Sequence, residues 1–243
     1  MPVLIDEVLR RAARGRTAPY LCRAEDGQLY FVKNRVLARR ELAAEWVSSH
    51  LARALGLPLP AFCVVEVPAA LVDPAMGDWL ADLAPGLAFA SRYVESTEPT
   101  RARMAQVPVA ERVRIAAFDW WLRNMQRRAA PGPVGIRNLL WQTDPSGSGR
   151  VLLIDHSRAF DPRFDVSGFL ATHVYGADLV RLAADFIDRE RLRGEFVRAL
   201  DVAATACATM PAAWRQVDSR DECAFLAQLA RCQADDVFWT SAS

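Results

Sequence analysis

The sequence predicts an α+β fold with two lobes, a small β-rich N-terminal lobe with one long helix and a larger, mainly helical C-terminal lobe. Strand-like runs separated by turn residues dominate the first 94 positions. A long helical pattern interrupts these runs once, and from residue 166 onward only helical patterns remain. We therefore assign residues 1–94 to the N-terminal lobe and residues 95–243 to the C-terminal lobe, and we expect a ligand cleft between them.

Five patterns define the N-terminal lobe. Apolar residues at helical spacing predict a short amphipathic helix over residues 3–14. The runs YLCRA and QLYFVK flank an Asp-Gly turn and predict a β-hairpin. A long helix is expected over residues 37–55, because Gly56 and the prolines beyond it are typical of a helix C-terminus. The runs AFCVVEV and GLAFASRYV predict two further strands.

The C-terminal lobe is predicted to start with a buried helix over residues 109–124, whose apolar side chains share one helical face. An irregular stretch, MQRRAAPGPVGI, separates this helix from a hairpin of RNLLWQT and RVLLIDH around the turn DPSGSG. Helical patterns then cover residues 166–172, 177–187, 189–208, 211–217 and 220–235.

Composition and charge exclude several classes of protein. The chain has 243 residues, 52% of them apolar, and a formal net charge of +1 from 30 basic and 29 acidic side chains. This balance predicts a folded protein without a nucleic-acid or membrane partner. The five cysteines form no C-x-x-C pair, and no apolar run approaches the length of a membrane span. We expect reduced cysteines and a cytoplasmic location.

Lys33 is the only lysine in the chain, and the other basic residues are all arginine. In a strand its side chain shares an apolar face with Phe31, where an ammonium group needs a compensating anion. Glu41 and Glu45 lie one helical turn apart on the predicted helix, so either carboxylate could serve, and a bound phosphate could serve as well. The alternative is that Lys33 is a chance survivor of arginine-biased composition and extends to solvent at the strand edge.

Asp155 follows the apolar strand VLLI and precedes a polar turn, and Asn138 sits just before the partner strand of the same hairpin. Hairpin geometry would bring the carboxylate and the amide together. Oxygen ligands of this kind suit Mg²⁺ when phosphate oxygens complete its coordination. The alternative is that both residues are turn formers that bond their own backbone.

These motifs, in this order, resemble the bacterial HipA-like kinase family: a strand lysine, a helix glutamate followed by LARALGLPLP, then GLAFASRYV, FDWWLRN, RNLLW and LIDHSRAF. The resemblance covers roughly residues 20–160 and implies one kinase-like domain that binds ATP and Mg²⁺ between its lobes. It implies that Lys33 contacts the ATP phosphates, that Glu45 rather than Glu41 pairs with it, and that Asp155 binds the metal. It also implies that the adenine pocket is lined by Ala90, Ser91, Arg92 and Tyr93.

The sequence departs from the family pattern after the tryptophan-rich helix. The family usually has Asn-x-Asp-Arg, whereas this chain has Asn124-Met125-Gln126-Arg127, so Gln126 occupies the position of the catalytic aspartate. An amide cannot take a proton, and losing such a group typically costs about 10²- to 10⁴-fold in rate. The loop RAAPGPVGIRNLL is also longer than usual, which moves the second metal position to Ile136 and leaves Asn138 as a substitute.

Asp119 and His156 lie near these motifs, and for each of them a structural role is expected. Asp119 could replace the missing aspartate, but its simpler role is that of a polar residue at the rim of a buried helix. His156 is expected to be a hydrogen-bonded residue of the turn after Asp155 rather than a base.

Three functions remain compatible with the sequence. The first is a HipA-like phosphotransferase that acts on a serine or threonine of a protein, with activity reduced by Gln126. The second is a pseudokinase that binds a nucleotide or a protein partner without phosphoryl transfer. The third is a helical interaction protein whose kinase resemblance is historical.

Overall fold

A computed structural model describes residues 1–12, 18–34, 37–73, 77–128, 136–145, 147–215, 220–234 and 239. The fold is mixed α+β, as predicted, with a β-rich N-terminal part and a mainly helical C-terminal part. The strands are β1 (Val3–Arg11), β2 (Tyr20–Ala24), β3 (Leu29–Lys33), β4 (Phe62–Val67), β5 (Gly86–Arg92), β6 (Leu139–Thr143) and β7 (Gly149–Leu153). The helices are α1 (Arg39–Ala54), α2 (Arg101–Gln106), α3 (Val109–Trp121), α4 (Val166–Thr172), α5 (Gly176–Ala184), α6 (Phe186–Thr209) and α7 (Arg220–Ala234).

The five N-terminal strands form a closed barrel in the order β1-β2-β3-β5-β4. β2 and β3 form the predicted hairpin, and β5 pairs antiparallel with both β3 and β4. On β3, Tyr30 and Val32 are buried in the barrel interior, so Phe31 and Lys33 project to the opposite side. The period-2 alternation of β3 therefore directs Lys33 out of the barrel.

The N-terminal segment is a strand, and the amphipathic helix predicted there is wrong. β1 pairs antiparallel with β2 and parallel with β4, and thereby closes the barrel. Its pairing shifts register between Ile5 and Glu7 and again between Val8 and Arg10. Because these irregularities break the two-residue alternation, the apolar residues acquire a spacing that resembles that of a helix.

Helix α1 begins and ends with defined caps. The Glu41 carboxylate accepts a hydrogen bond from the Ala38 N–H at 3.0 Å, which satisfies a main-chain donor at the N-terminus. At the C-terminus Gly56 has φ +68°, and the N–H of Leu57 donates to the carbonyl of Ala52 at 2.9 Å. This is the Schellman arrangement expected of a helix that ends at a glycine.

Helix α1 packs against the C-terminal helices as well as the barrel. The Trp46 indole N–H donates to the carbonyl of Ala206 on α6 at 3.0 Å. The buried residues of α1 belong to the same hydrophobic cluster as those of α3 and α6, whereas the barrel interior forms a second cluster. The lobe boundary at residue 94 remains a prediction.

The chain crosses from the barrel to the β6-β7 hairpin soon after β5. The N–H of Thr97 donates to the carbonyl of Trp141 at 3.0 Å, and the Trp141 N–H donates back to Thr97 at 2.8 Å. The hairpin has the predicted strands, with Leu139 opposite Leu153. Residues 129–135 of the irregular stretch predicted before it lie outside the described residues.

Several C-terminal boundaries differ from the predicted ones. α5 ends at Ala184 and α6 begins at Phe186, because the Asp185 side chain accepts from the N–H of Asp188 and caps α6. The segment predicted as a helix over residues 211–217 contains a single 3-10 turn at Ala212–Trp214, and residues 216 and 217 lie outside the described part. The short helix α2 was not predicted, since it buries little apolar surface. Within the described residues, no helix combines the length and the hydropathy needed to cross a bilayer.

Candidate active site

A cleft of about 800 Å³ lies between the outer side of the barrel and the β6-β7 hairpin. β3 and β5 contribute one wall, α1 contributes Glu45 and Ser49, and the hairpin with the turn after β7 contributes the opposite wall. The residues of the cleft are therefore far apart in the chain and are brought together by the tertiary fold.

Lys33 lies between two carboxylates inside this cleft. Its Nζ is 3.0 Å from Oδ1 of Asp155 and 3.9 Å from Oε2 of Glu45. The side chain of Lys33 is only 10% exposed, which excludes the alternative that it extends into solvent. The ammonium group thus has the compensating anions that its burial requires.

The Asp155 carboxylate is held in its ionised form. Burial alone would raise its pKa, but the Lys33 ammonium and a 2.8 Å hydrogen bond from Ser157 Oγ outweigh burial and lower the pKa to about 2. The backbone of Asp155 has φ +55°, in the left-handed region that is uncommon for a residue with a side chain. The turn therefore directs a carboxylate that is ionised at neutral pH into the cleft.

Glu45 behaves differently from Asp155. It is buried, and this burial raises its pKa to about 7, although Lys33 partly counteracts the effect. Its Oε2 accepts no hydrogen bond within the described residues. Glu41, the other glutamate considered as a partner, caps the start of α1 and is engaged there. The structure thus brings Glu45, and not Glu41, to Lys33.

Asn138 contacts the Asp155 turn from the neighbouring strand. Its Nδ2 donates to the main-chain carbonyl of Asp155 at 3.4 Å, which orients the amide and leaves Oδ1 out of this bond. Asn138 lines the cleft and has φ +60°. Ile136, where the family spacing would place the second metal ligand, is a buried apolar residue without a ligand atom.

The four residues predicted to line the adenine pocket face two different ways. Ser91, Arg92 and Tyr93 line the cleft, whereas Ala90 is completely buried in the barrel interior opposite Val32. Side chains alternate along β5, so Ala90 faces the barrel interior and Ser91 faces the cleft, while Arg92 and Tyr93 line the cleft from the end of the strand. A side chain that was not predicted, Phe31, lines the cleft beside Tyr93, with ring centroids 5.9 Å apart.

Gln126 lines the cleft on the loop after α3. Its N–H donates to Oδ1 of Asn124 at 3.2 Å, and its carbonyl accepts from the N–H of Arg128 at 3.0 Å. These bonds fix the loop and hold the position that the sequence predicts to correspond to a catalytic aspartate at the cleft. The side chain found there is a neutral amide.

Asp119 is completely buried, and the prediction that it lies at the rim of its helix is wrong. It forms an ion pair with the guanidinium of Arg127 and accepts from Asn124 Nδ2 at 2.9 Å and from His173 Nε2 at 3.0 Å. Burial alone would raise the pKa of Asp119, but Arg127 and His173 outweigh it and lower the pKa. Because Asp119 does not line the cleft, it cannot replace the missing aspartate.

His156 connects this buried network to the turn after β7 that carries Asp155. Arg127 Nη2 lies 2.8 Å from His156 Nε2, and since arginine can only donate, His156 accepts through that nitrogen. Burial and the nearby Arg127 lower the pKa of His156 to about 3, so the ring is neutral. The structural role expected for His156 agrees with these contacts, which join the Gln126 loop to the Asp155 turn.

The sequence profile of the family described as HipA-like kinase matches residues 5–242. The chain belongs to the HipA-like kinase family. Among solved structures, the chain is similar to the proinflammatory kinase CtkA of Helicobacter pylori, with a TM-score of 0.56, 9% identity, and coverage of 97% of this chain and 95% of that chain. It is also similar to the Golgi casein kinase, with a TM-score of 0.57, 11% identity, and coverage of 96% and 71%. At these identities the two structures support the fold alone. No curated protein sequence matches the chain significantly.

The donor atoms of Asp155 and Asn138 fit a divalent cation that takes its remaining ligands from outside the protein. Within the described part of the chain, no group of three or more His, Cys, Asp or Glu residues is placed to hold a metal by itself. Asp155 offers an ionised carboxylate and Asn138 an amide oxygen. Mg²⁺ is commonly held by one or two such protein oxygens, with water and phosphate oxygens completing its coordination.

Sequence reasoning missed the residues that support the site. Ser157 orients the Asp155 carboxylate, and its position two residues after an aspartate in a polar turn is a usable signal. The contact between Arg127 and His156 joins two loops distant in the chain, and no local pattern indicates it. The roles assigned to the site residues remain predictions.

Proposed function

We propose that this HipA-like kinase binds MgATP in the cleft and transfers its γ-phosphoryl group slowly to a serine or threonine hydroxyl. Membership of the family and the kinase fold support a kinase-like phosphotransferase. The observation that carries the nucleotide assignment is the position of Lys33, with Nζ 3.0 Å from Asp155 and 3.9 Å from Glu45 inside a cleft open to ligands. A compact ammonium group in such a crevice suits a phosphate oxygen.

Each of the three charged residues has a separate task in this proposal. Lys33 donates to oxygens of the triphosphate, and Glu45 keeps the ammonium in place from behind. Asp155 and Asn138 would hold Mg²⁺, which neutralises phosphate charge during transfer. The apolar side chains of Leu140 and Leu153 line the cleft and would contact the base of the nucleotide.

Gln126 limits the chemical step. The acceptor oxygen forms a bond to the γ-phosphorus while the bond between that phosphorus and the ADP oxygen breaks. The hydroxyl proton must leave, and an amide at this position cannot take it. The proton therefore goes to a phosphate oxygen or to water, without the contribution of a positioned carboxylate.

Transfer of label from γ-labelled ATP to the protein itself tests the proposal. We expect Gln126→Asp to be about 10²- to 10⁴-fold faster than the wild type, since it restores a carboxylate at a position held in the cleft. Adding Asp155→Asn to Gln126→Asp should abolish the gain, which separates transfer at this site from a contaminating kinase. A wild-type rate equal to that of Gln126→Asp would refute the assigned role of Gln126.

A pseudokinase is the second candidate, because the described residues place an amide rather than a carboxylate at position 126 of the cleft. Among the described residues that line the cleft, the carboxylates are those of Glu45, Glu98 and Asp155, while Asp119 is buried behind the loop. A pseudokinase would be stabilised thermally by MgATP yet show no label transfer in the wild type or in Gln126→Asp. Thermal stabilisation by MgATP itself tests nucleotide binding, because a ligand that binds only the native state must raise its stability.

A further inference from the structure

The cleft carries more positive charge than the protein as a whole. Among the described residues, five cationic side chains line it, against three carboxylates, while the whole chain has a formal net charge of only +1. The cationic residues are Arg10, Lys33, Arg92, Arg137 and Arg158. Since Lys33 is already compensated by Asp155 and Glu45, the excess charge belongs to the arginines.

Two of these arginines lie beside the proposed metal ligands Asn138 and Asp155. Arg137 immediately precedes Asn138, and Arg158 immediately follows Ser157. The bond from Asn138 to the Asp155 carbonyl joins the two segments, and both arginines line the cleft. Both side chains are exposed, and neither forms an ion pair or hydrogen bond within the described residues.

Gln126 also lines the cleft. Its neighbour Arg127 contacts His156 at 2.8 Å, which places the Gln126 loop against the turn that leads to Arg158. An aspartate at position 126 would repel an anion at this end, whereas the amide of glutamine carries no charge and offers two N–H donors. The substitution that weakens phosphoryl transfer therefore also makes this end of the cleft compatible with an anionic ligand.

We infer that this end of the cleft binds the carboxylate side chains of an acidic peptide, with Arg137 and Arg158 as its cationic partners and Gln126 as a neutral donor. The fork of donors on arginine matches a carboxylate. Lys33 lies deep in the cleft and is suited to the nucleotide, whereas the two arginines lie at the exposed rim, within reach of a polypeptide. That this peptide is the phosphoryl acceptor rests on the proposed function, whereas its binding does not.

The test is the fluorescence anisotropy of two labelled peptides that share a central serine, one flanked by glutamates and the other by glutamines. We expect the wild type to bind the glutamate peptide about tenfold more tightly, and added salt to reduce the difference because exposed charges are screened. Arg137→Gln with Arg158→Gln should abolish the preference. Gln126→Asp should weaken binding of the glutamate peptide about threefold and leave the glutamine peptide unaffected.

The matched control is Arg191→Gln with Arg198→Gln on α6, which removes the same charge from exposed positions that do not line the cleft. Equal affinity for the two peptides, or an equal loss of preference in this control, would overturn the inference. Complete displacement of the glutamate peptide by MgATP would also overturn it, because the arginines would then serve the nucleotide phosphates. Thermal stabilisation of the wild type by MgATP is measured separately, so failure of the nucleotide proposal would leave the peptide result intact.

Discussion

Replacing Lys33 by methionine should abolish stabilisation by MgATP while the protein remains folded. Methionine keeps an unbranched chain of similar reach and removes only the ammonium group. The variant thus separates the charge of Lys33 from its packing.

The structure sets the size of the effect on the free protein. The pKa of Asp155 is lowered from 3.8 to about 2 by Lys33 and Ser157 together, which corresponds to about 2 kcal/mol. Because a depressed carboxyl pKa stabilises the fold above the unfolded value of 3.8, this contribution is present at pH 7 and is lost as the pH falls toward 2. We therefore expect Lys33→Met to cost about 1–2 kcal/mol at pH 7. The pKa of Glu45, already about 7, should rise further, so this residue becomes neutral at little cost.

Thermal unfolding with and without MgATP measures the effect on the ligand. At a nucleotide concentration 100-fold above Kd, binding adds about 2.7 kcal/mol to the stability of the wild type. For a chain of this size the corresponding rise in Tm is about 5–10 °C. Lys33→Met should show no rise, although its cooperative unfolding transition is retained.

The control is Arg198→Met, which removes a cation from an exposed position on α6 and should keep the full ligand shift. An ATP-induced shift of wild-type size in Lys33→Met would remove Lys33 from the nucleotide site and refute the reasoning. Loss of the shift in Arg198→Met as well would show that net charge, and not the position of the ammonium, had been measured.

Three further predictions address the surroundings of the site. Glu45→Gln should be more stable than the wild type at pH 8 by up to about 3 kcal/mol, measured by urea unfolding. The reason is that the pKa of Glu45 is raised from 4.5 to about 7, so the wild type loses stability as the pH rises through that interval. Asp119→Asn should cost about 3–5 kcal/mol in the same assay, since it leaves the buried Arg127 guanidinium without its counter-ion. Ser157→Ala should raise about tenfold the Mg²⁺ concentration that gives half of the ATP-induced shift in a metal titration, because Asp155 loses an orienting hydrogen bond.

Glu45→Gln and Asp119→Asn each have a control on the same chain. Glu41→Gln makes the same chemical change one helical turn from Glu45, and it should alter stability by about 0.5–1 kcal/mol through the cap of α1. Asp188→Asn breaks the exposed pair with Arg191 and should cost less than about 1 kcal/mol. A pH profile of Glu45→Gln that parallels the wild type, or an Asp119→Asn cost no larger than that of Asp188→Asn, would contradict the predictions.

Much of the fold could be predicted because its signals are local. The β2-β3 hairpin follows from strand-forming runs around an Asp-Gly turn, and the end of α1 follows from Gly56. The β6-β7 hairpin and α3 were also predicted close to their observed bounds. The helix predicted for the segment of β1 was wrong, because its register shifts interrupt the two-residue alternation and its strand conformation depends on pairing with β2 and β4.

The candidate site was only partly predictable. Lys33, Glu45 and Asp155 carry recognisable chemistry, and the structure brings all three together. Ala90 was assigned to the adenine pocket with its neighbours, yet strand alternation turns it into the barrel. The buried role of Asp119 escaped prediction, since its partners Arg127 and His173 come from other elements.

The sequence by itself determined which chemical groups are available, including a single lysine, an aspartate after a buried strand and an amide at the position predicted to correspond to a catalytic aspartate. It also determined the elements whose signals lie within a few covalently linked residues. Only the tertiary structure decided that Lys33 meets Asp155 at 3.0 Å, that Glu41 caps a helix while Glu45 faces the cleft, and which arginines border it. The physical reason is that such contacts depend on the packing of elements distant in the chain, which no local pattern of side chains specifies.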